Sequence, residues 1–127
     1  MKGNEIGDKA CSVIGSNTTW VDLDGLSLSL NSIRAVGGEA ITANTSWKKL
    51  TRLFLEDNRI GVKCITMISS NTTWVNFEEL YLPWNNIGDE GGLVIGASTL
   101  WKRLKILTLQ SNKIGDKGAC AIEQYPL

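Results

Sequence analysis

The sequence predicts an α/β fold of stacked strand–helix coils, and three observations carry that prediction. Residues recur at intervals of 27, one segment of each interval alternates leucine with other residues, and another spaces its apolar residues for a helix. In steps of 27 the columns read Asn4, Asn31, Asn58, Asn85, Asn112; Ile6, Ile33, Ile60, Ile87, Ile114; and Ile14, Ile41, Ile68, Ile95, Ile122. A period of that length marks a repeat architecture, because a single unit cannot bury its apolar face alone. The 127 residues hold four full units plus a fifth half, with half units at both ends, and are expected to form a single domain over 1–127.

Each element has its own justification. From Asp8 to Ser16, Cys11 and Ile14 lie at helical spacing, and an aspartate heads the segment here and again at Asp89 and Asp116. Such an aspartate is expected to act as N-cap, accepting from backbone N–H groups that the first turn leaves free. The helix should stop at Asn17, a residue that tolerates the left-handed conformation, and likewise at Asn44 and Asn71. These three asparagines open the segments NTTW, NTSW and NTTW, which also read as glycosylation sequons. Their spacing of 27 favours a structural role instead: a turn whose tryptophan (Trp20, Trp47, Trp74, Trp101) points inward between helix and sheet. Leu26 and Leu28 then alternate along a short strand with both leucines on one face.

Composition narrows the chemistry. Thirteen basic and thirteen acidic side chains cancel, so no bulk field draws the chain to nucleic acid or to an anionic membrane. No apolar run is long enough for a signal peptide or a membrane span, and a cytoplasmic location is expected. The chain has no histidine, which removes Ser-His and Cys-His nucleophile pairs. Cys11, Cys64 and Cys120 form no CxxC and are expected to be small buried residues, so neither a metal nor a cofactor is expected.

The string LxxLxLxxN spans Leu23–Asn31, Leu50–Asn58 and Leu104–Asn112, and Phe77–Asn85 with phenylalanine first. This resembles the leucine-rich repeat. The continuations Ile87–Gly91 and Ile114–Gly118, with the 27-residue unit, are most similar to the ribonuclease-inhibitor-like subclass. The sequence departs from that pattern at Arg34-Ala35-Val36 and Gly61-Val62, and in placing Trp where relatives often carry Leu or Cys. The resemblance implies a right-handed solenoid with short parallel strands on a concave face and helices on a convex one. Strands are expected near 25–29, 52–56, 79–83 and 106–110, and helices near 8–16, 35–43, 62–70, 89–97 and 116–124. The column Asn31, Asn58, Asn85, Asn112 should form a buried amide ladder.

On that frame, residues flanking the inward leucines face outward. The columns are Gly25, Arg52, Glu79, Ile106; Ser27, Phe54, Tyr81, Thr108; Ser29, Glu56, Pro83, Gln110; and, just beyond, Leu30, Asp57, Trp84, Ser111. Phe54 and Tyr81 should stand about 4.8 Å apart on adjacent strands. With Trp84 they form an aromatic cluster rimmed by Arg52, Glu56, Asp57, Glu78 and Glu79. Aromatic anchors inside a polar rim compose a protein-binding surface. The expected function is a non-catalytic interaction module with a protein partner, contacting it through Arg52, Phe54, Glu56, Asp57, Glu79, Tyr81, Trp84 and Ile106. Two alternatives stand beside it. The first is a self-associating scaffold, a homodimer through an edge strand, or a fragment of a larger array. The second is an enzyme using Glu56 and Glu79 as acid and base, which an open surface disfavours because it leaves water in contact with both carboxylates.

Overall fold

The computed structural model describes residues 1–125. Five helices and four strands alternate: α1 (Asp8–Gly15), β1 (Gly25–Ser27), α2 (Ala35–Thr42), β2 (Arg52–Phe54), α3 (Gly61–Ser70), β3 (Glu79–Tyr81), α4 (Gly88–Gly96), β4 (Ile106–Thr108) and α5 (Asp116–Glu123). The strands form one parallel sheet in the order β1-β2-β3-β4. Its register advances by one repeat per strand, so Leu26, Leu53, Leu80 and Leu107 lie side by side. The result is a right-handed solenoid, sheet on the concave side and helices on the convex side. The strands are shorter than expected. Cross-coil hydrogen bonds nonetheless continue past their ends, as from Leu28 N to Phe54 O (2.9 Å) and from Leu30 N to Glu56 O (2.9 Å).

A turn that leaves each strand exposes backbone groups to an apolar interior, and the asparagine column satisfies them. Asn58 Nδ2 donates to Leu55 O (3.0 Å) in its own coil and to Leu28 O (3.0 Å) in the coil before, while its Oδ1 accepts from Ile33 N (2.9 Å). Asn85 and Asn112 repeat the pattern, donating to Leu55 O (2.7 Å) and Leu82 O (2.8 Å) of the preceding coil. All four ladder asparagines are buried. Leaving any one such group unpaired costs about 1–3 kcal/mol.

A second ladder runs through the sequon asparagines, and it corrects the expected left-handed helix stop. Asn44 Nδ2 donates to Gly15 O and Asn17 O (2.8 Å each), and Asn71 Nδ2 to Thr42 O (2.9 Å) and Asn44 O (3.0 Å). Their Oδ1 atoms accept from the N–H groups of their own turns, Ser46 N at 2.8 Å and Thr73 N at 2.9 Å. None of the three adopts a positive φ. A carboxamide that both donates and accepts joins two coils, a task that an αL backbone does not perform.

Asp8 and Asp89 act between coils instead of capping their own helices, and the helix headed by Asp116 likewise has no side-chain cap. Asp8 accepts from Arg34 N and Arg34 Nε (2.9 Å each) at the start of α2. Asp89 accepts from Gly115 N (2.7 Å) and Gly118 N (2.9 Å) at the start of α5. Burial works to raise the Asp8 pKa, but the Arg34 amide and guanidinium and the Gly37 amide outweigh it, leaving the carboxyl below its ordinary value. Helices pack so closely that a Cβ at Gly15 would stand 2.1 Å from Ala40 O.

Tryptophans fill the space between the layers. Trp47 and Trp74 stack at 6.0 Å between centroids, 8° from parallel; Phe77 then links Trp74 (5.6 Å) to Trp101 (6.4 Å). The indole N–H groups of Trp47, Trp74 and Trp101 have no hydrogen-bond partner among the described residues. Burying about 150–250 Å² per ring gains about 4–6 kcal/mol, which exceeds the roughly 1–3 kcal/mol lost at an unpaired donor.

The two ends differ. Tyr125 closes the stack at the last coil, 6.3 Å from Trp101, its hydroxyl donating to Trp101 O at 2.7 Å. Trp20, at the first coil, stacks on Trp47 alone and is 37% exposed, so the inward expectation fails there. Cys11 and Cys64 are buried, and burial pushes their thiols up to about 11 and about 12. Cys120 is exposed, contrary to expectation, because it lies on the outer face of α5 in the column of Ser12, Glu39, Thr66 and Leu93. On these grounds Trp74→Ala should cost about 3–5 kcal/mol in urea denaturation, and Trp20→Ala less than half of that.

Candidate interaction surface

The register that stacks the leucines also stacks what faces away from them. Phe54 and Tyr81 pair across β2 and β3 and stack with centroids 4.7 Å apart, 16° from parallel. Their neighbours in that column are small, Ser27 on β1 and Thr108 on β4. The pair therefore stands above its row, with one ring face of each residue turned away from the other.

Charges surround the pair in a definite order. Arg52 reaches back to Asp24 (3.0 Å) in the preceding coil and lies over Gly25. Lys105 and Arg103 close on Glu78 at 2.9 and 3.6 Å, and the lysine holds the Glu78 carboxyl below its ordinary value. These exposed pairs contribute little to stability, but they occupy the cations nearest the sheet. Glu56 and Glu79 make no ion pair among the described residues. Glu79 Oε2 accepts from the Tyr81 hydroxyl at 3.3 Å. Desolvation, then the charges of Glu79 and Glu56, raise the Tyr81 phenol above its usual value.

The third outward column is open only at Gln110 on the last coil. Ser29 and Pro83 are buried and Glu56 is half-buried, because the chain already bends there into the asparagine turn. The fourth column bends with it. Leu30, Asp57, Trp84 and Ser111 all have left-handed backbones, φ 60°, 51°, 52° and 57°. For a residue other than Gly, Asn or Asp that conformation costs about 1–2 kcal/mol. Trp84 is 57% exposed and has no aromatic partner among the described residues, so the expected cluster divides into a sheet pair and a tryptophan on the loop ridge. A groove of about 400 Å³ runs past Trp84, lined also by Arg59, Asn86 and Lys113. Ile106 (39% exposed) lies beside Glu79 on β4, and Arg52 and Asp57 are exposed as expected.

Sequence reasoning assigned no role to Arg59 or Lys113, although both share the column of Ser32 and Asn86, and counting one position further would have placed them on the ridge. It also missed a groove of about 480 Å³ at the first coil, lined by Trp20, Leu23, Leu26 and Met1. No cluster of potential metal ligands occurs among the described residues, and no helix there is long and apolar enough to cross a membrane. Because Trp84 strains the backbone without filling the core, Trp84→Gly should leave stability unchanged or raise it by about 1 kcal/mol. A loss above about 2 kcal/mol in denaturation would show that Trp84 holds the fold.

A family profile described as Leucine Rich repeat matches residues 75–96 and 104–122. No curated protein matches the chain. The matched segments cover the third and fourth strands with the helices that follow them, and the other coils repeat them in register. The chain is an α/β repeat solenoid, and two of its units match the leucine-rich-repeat profile.

Proposed function

We propose that this solenoid is a non-catalytic module that binds a protein partner through its concave side and the adjoining loop ridge. Leucine-rich-repeat domains in general mediate protein–protein interaction. The observation that supports this reading is the use of apolar residues where the core does not need them. Trp84 stands exposed on a strained backbone, and the Phe54–Tyr81 stack rises between small neighbours. Aromatic residues supply most interface energy when a partner covers them. Arg52, Glu56, Asp57, Glu79 and Ile106 would form the rim. The 27-residue unit and the Ile-Gly-Asp-x-Gly turns support the ribonuclease-inhibitor-like subclass.

A compartment without N-glycosylation, the cytoplasm, fits the second ladder. The Asn44 and Asn71 amides each donate both N–H groups to backbone carbonyls, and a glycan attached before folding would replace one of those two donors. In affinity capture from native lysate, Tyr81→Ala and Trp84→Ala should each weaken partner recovery while the melting temperature stays within a few degrees. Full recovery by both variants would refute the surface assignment.

The open end favours a second reading, self-association. β1 is an unpaired edge, a template for another strand, and exposed Trp20 and Val21 lie beside the apolar groove. Tyr125 covers the other end of the aromatic stack, so the contact belongs at β1 more than at β4. In this reading light scattering finds a dimer at micromolar concentration, and Trp20→Lys restores the monomer. A wild-type chain that remains monomeric as concentration rises excludes it.

A further inference from the structure

Beside Tyr81 on the concave side stand a small residue, Thr108, and an anion, Glu79. Tyr81 stacks on Phe54 with one ring face, and its other face looks across β4 over Thr108, a side chain too small to reach ring height. Ile106, in the next row of β4, supplies an apolar wall, and Glu79, opposite Ile106, places its carboxylate at the phenol end of the same ring. The slot is therefore bounded by an aromatic face, an aliphatic side and an anion.

Charge decides what fits it. Three acids near the sheet are paired with cations, Asp22 with Lys49, Asp24 with Arg52, and Glu78 with Lys105 and Arg103, while Asp57 on the loop ridge makes no ion pair among the described residues. Glu79 on the floor and the half-buried Glu56 at its edge pair with no cation among the described residues. The bond from Tyr81 to Glu79, at 3.3 Å, is long for a hydroxyl donor and leaves the second carboxylate oxygen open. Another aromatic side chain would extend the stack but would leave both carboxylates unpaired in a covered interface, a costly arrangement. Arginine meets all three walls, since its planar guanidinium stacks on an aromatic face, its stem lies along apolar surface and its fork pairs with a carboxylate. Lysine brings the charge without the plane.

We propose that the partner inserts an arginine side chain over the outer face of Tyr81, above Thr108 and against Ile106, with its guanidinium paired to Glu79 and drawn by Glu56. This rests on the concave-side reading and adds the chemistry of the anchor.

The test is a titration of the isotopically labelled whole chain with a hexapeptide of alternating glycine and arginine. Three matched peptides carry citrulline, lysine or glutamate instead of arginine. The arginine peptide should bind saturably, shift the signals of Tyr81, Thr108 and Ile106, and weaken as salt rises. Glu79→Gln should reduce its affinity about tenfold with an unchanged melting temperature. The citrulline peptide, equal in shape but uncharged, should bind at least tenfold more weakly. Equal binding by citrulline or by lysine overturns the proposal, as does preference for glutamate or a shift pattern confined to the loop ridge. Lysate capture separates this from the broader reading. A partner lost with Tyr81→Ala but retained with Glu79→Gln leaves the concave side in place and removes the arginine; a partner retained with both Tyr81→Ala and Trp84→Ala removes the concave side itself.

Discussion

Backbone polar groups inside an apolar coil must find partners, and the buried amide ladder is how this chain meets that constraint. Each turn from strand to helix pairs some N–H groups with the next coil but leaves carbonyls such as Leu28 O and N–H groups such as Ile33 N to the asparagine. A carboxamide has a donor and an acceptor on one short stem, so a single asparagine per coil reaches both its own turn and the preceding one. Glutamine would overshoot, and aspartate would present two acceptors to carbonyl oxygens. The same solution appears a second time at Asn44 and Asn71, on the descending side of the coil. Where the second ladder reaches Ser98 the side chain is too short, and its hydroxyl has no partner among the described residues. The sequon disappears from the sequence at that same coil.

With pitch set by two ladders, side chains one repeat apart become neighbours, and surface chemistry follows. Most ion pairs join an acid in one coil to a base in the next, as in Asp8 with Arg34, Asp22 with Lys49 and Glu39 with Lys63. The Phe54–Tyr81 stack arises in the same way, from two large residues falling in one column between Ser27 and Thr108. The candidate surface thus combines an excess of bulk, Phe54 and Tyr81, with two carboxylates, Glu56 and Glu79, that make no ion pair among the described residues.

Much of this was legible in the sequence because a period is a statement about space. Counting in steps of 27 gave the asparagine and leucine columns, and the leucine-rich-repeat resemblance gave the buried amide ladder and helix bounds that agree within one residue, such as α2 at Ala35–Thr42 against 35–43. Reading failed where a residue was judged within its own element. Asp8 and Asp89 look like local helix caps, but their partners lie one coil away. Asn44 looks like a helix terminator, yet its amide bridges two coils. The strand's alternation was extended too far, to Ser29 and Pro83, because no letter marks where pleat gives way to turn. The ends were hardest, since Trp20 and Trp47 share a column and differ only in having a neighbour on one side or on both.

That difference between the ends has a consequence for how the chain opens. In a stack held together by neighbour contacts, order is weakest where a coil leans on one side only. At one terminus a tyrosine seals the last indole and ties itself to that residue's carbonyl; at the other, an indole lies bare. The aromatic stack is therefore less covered at Trp20 than at Trp101, while Asp8, Asn44 and buried Cys11 still tie the first coil to the second. Phe54 and Tyr81 sit in the middle of the array, where the frame that presents them is the last part to loosen.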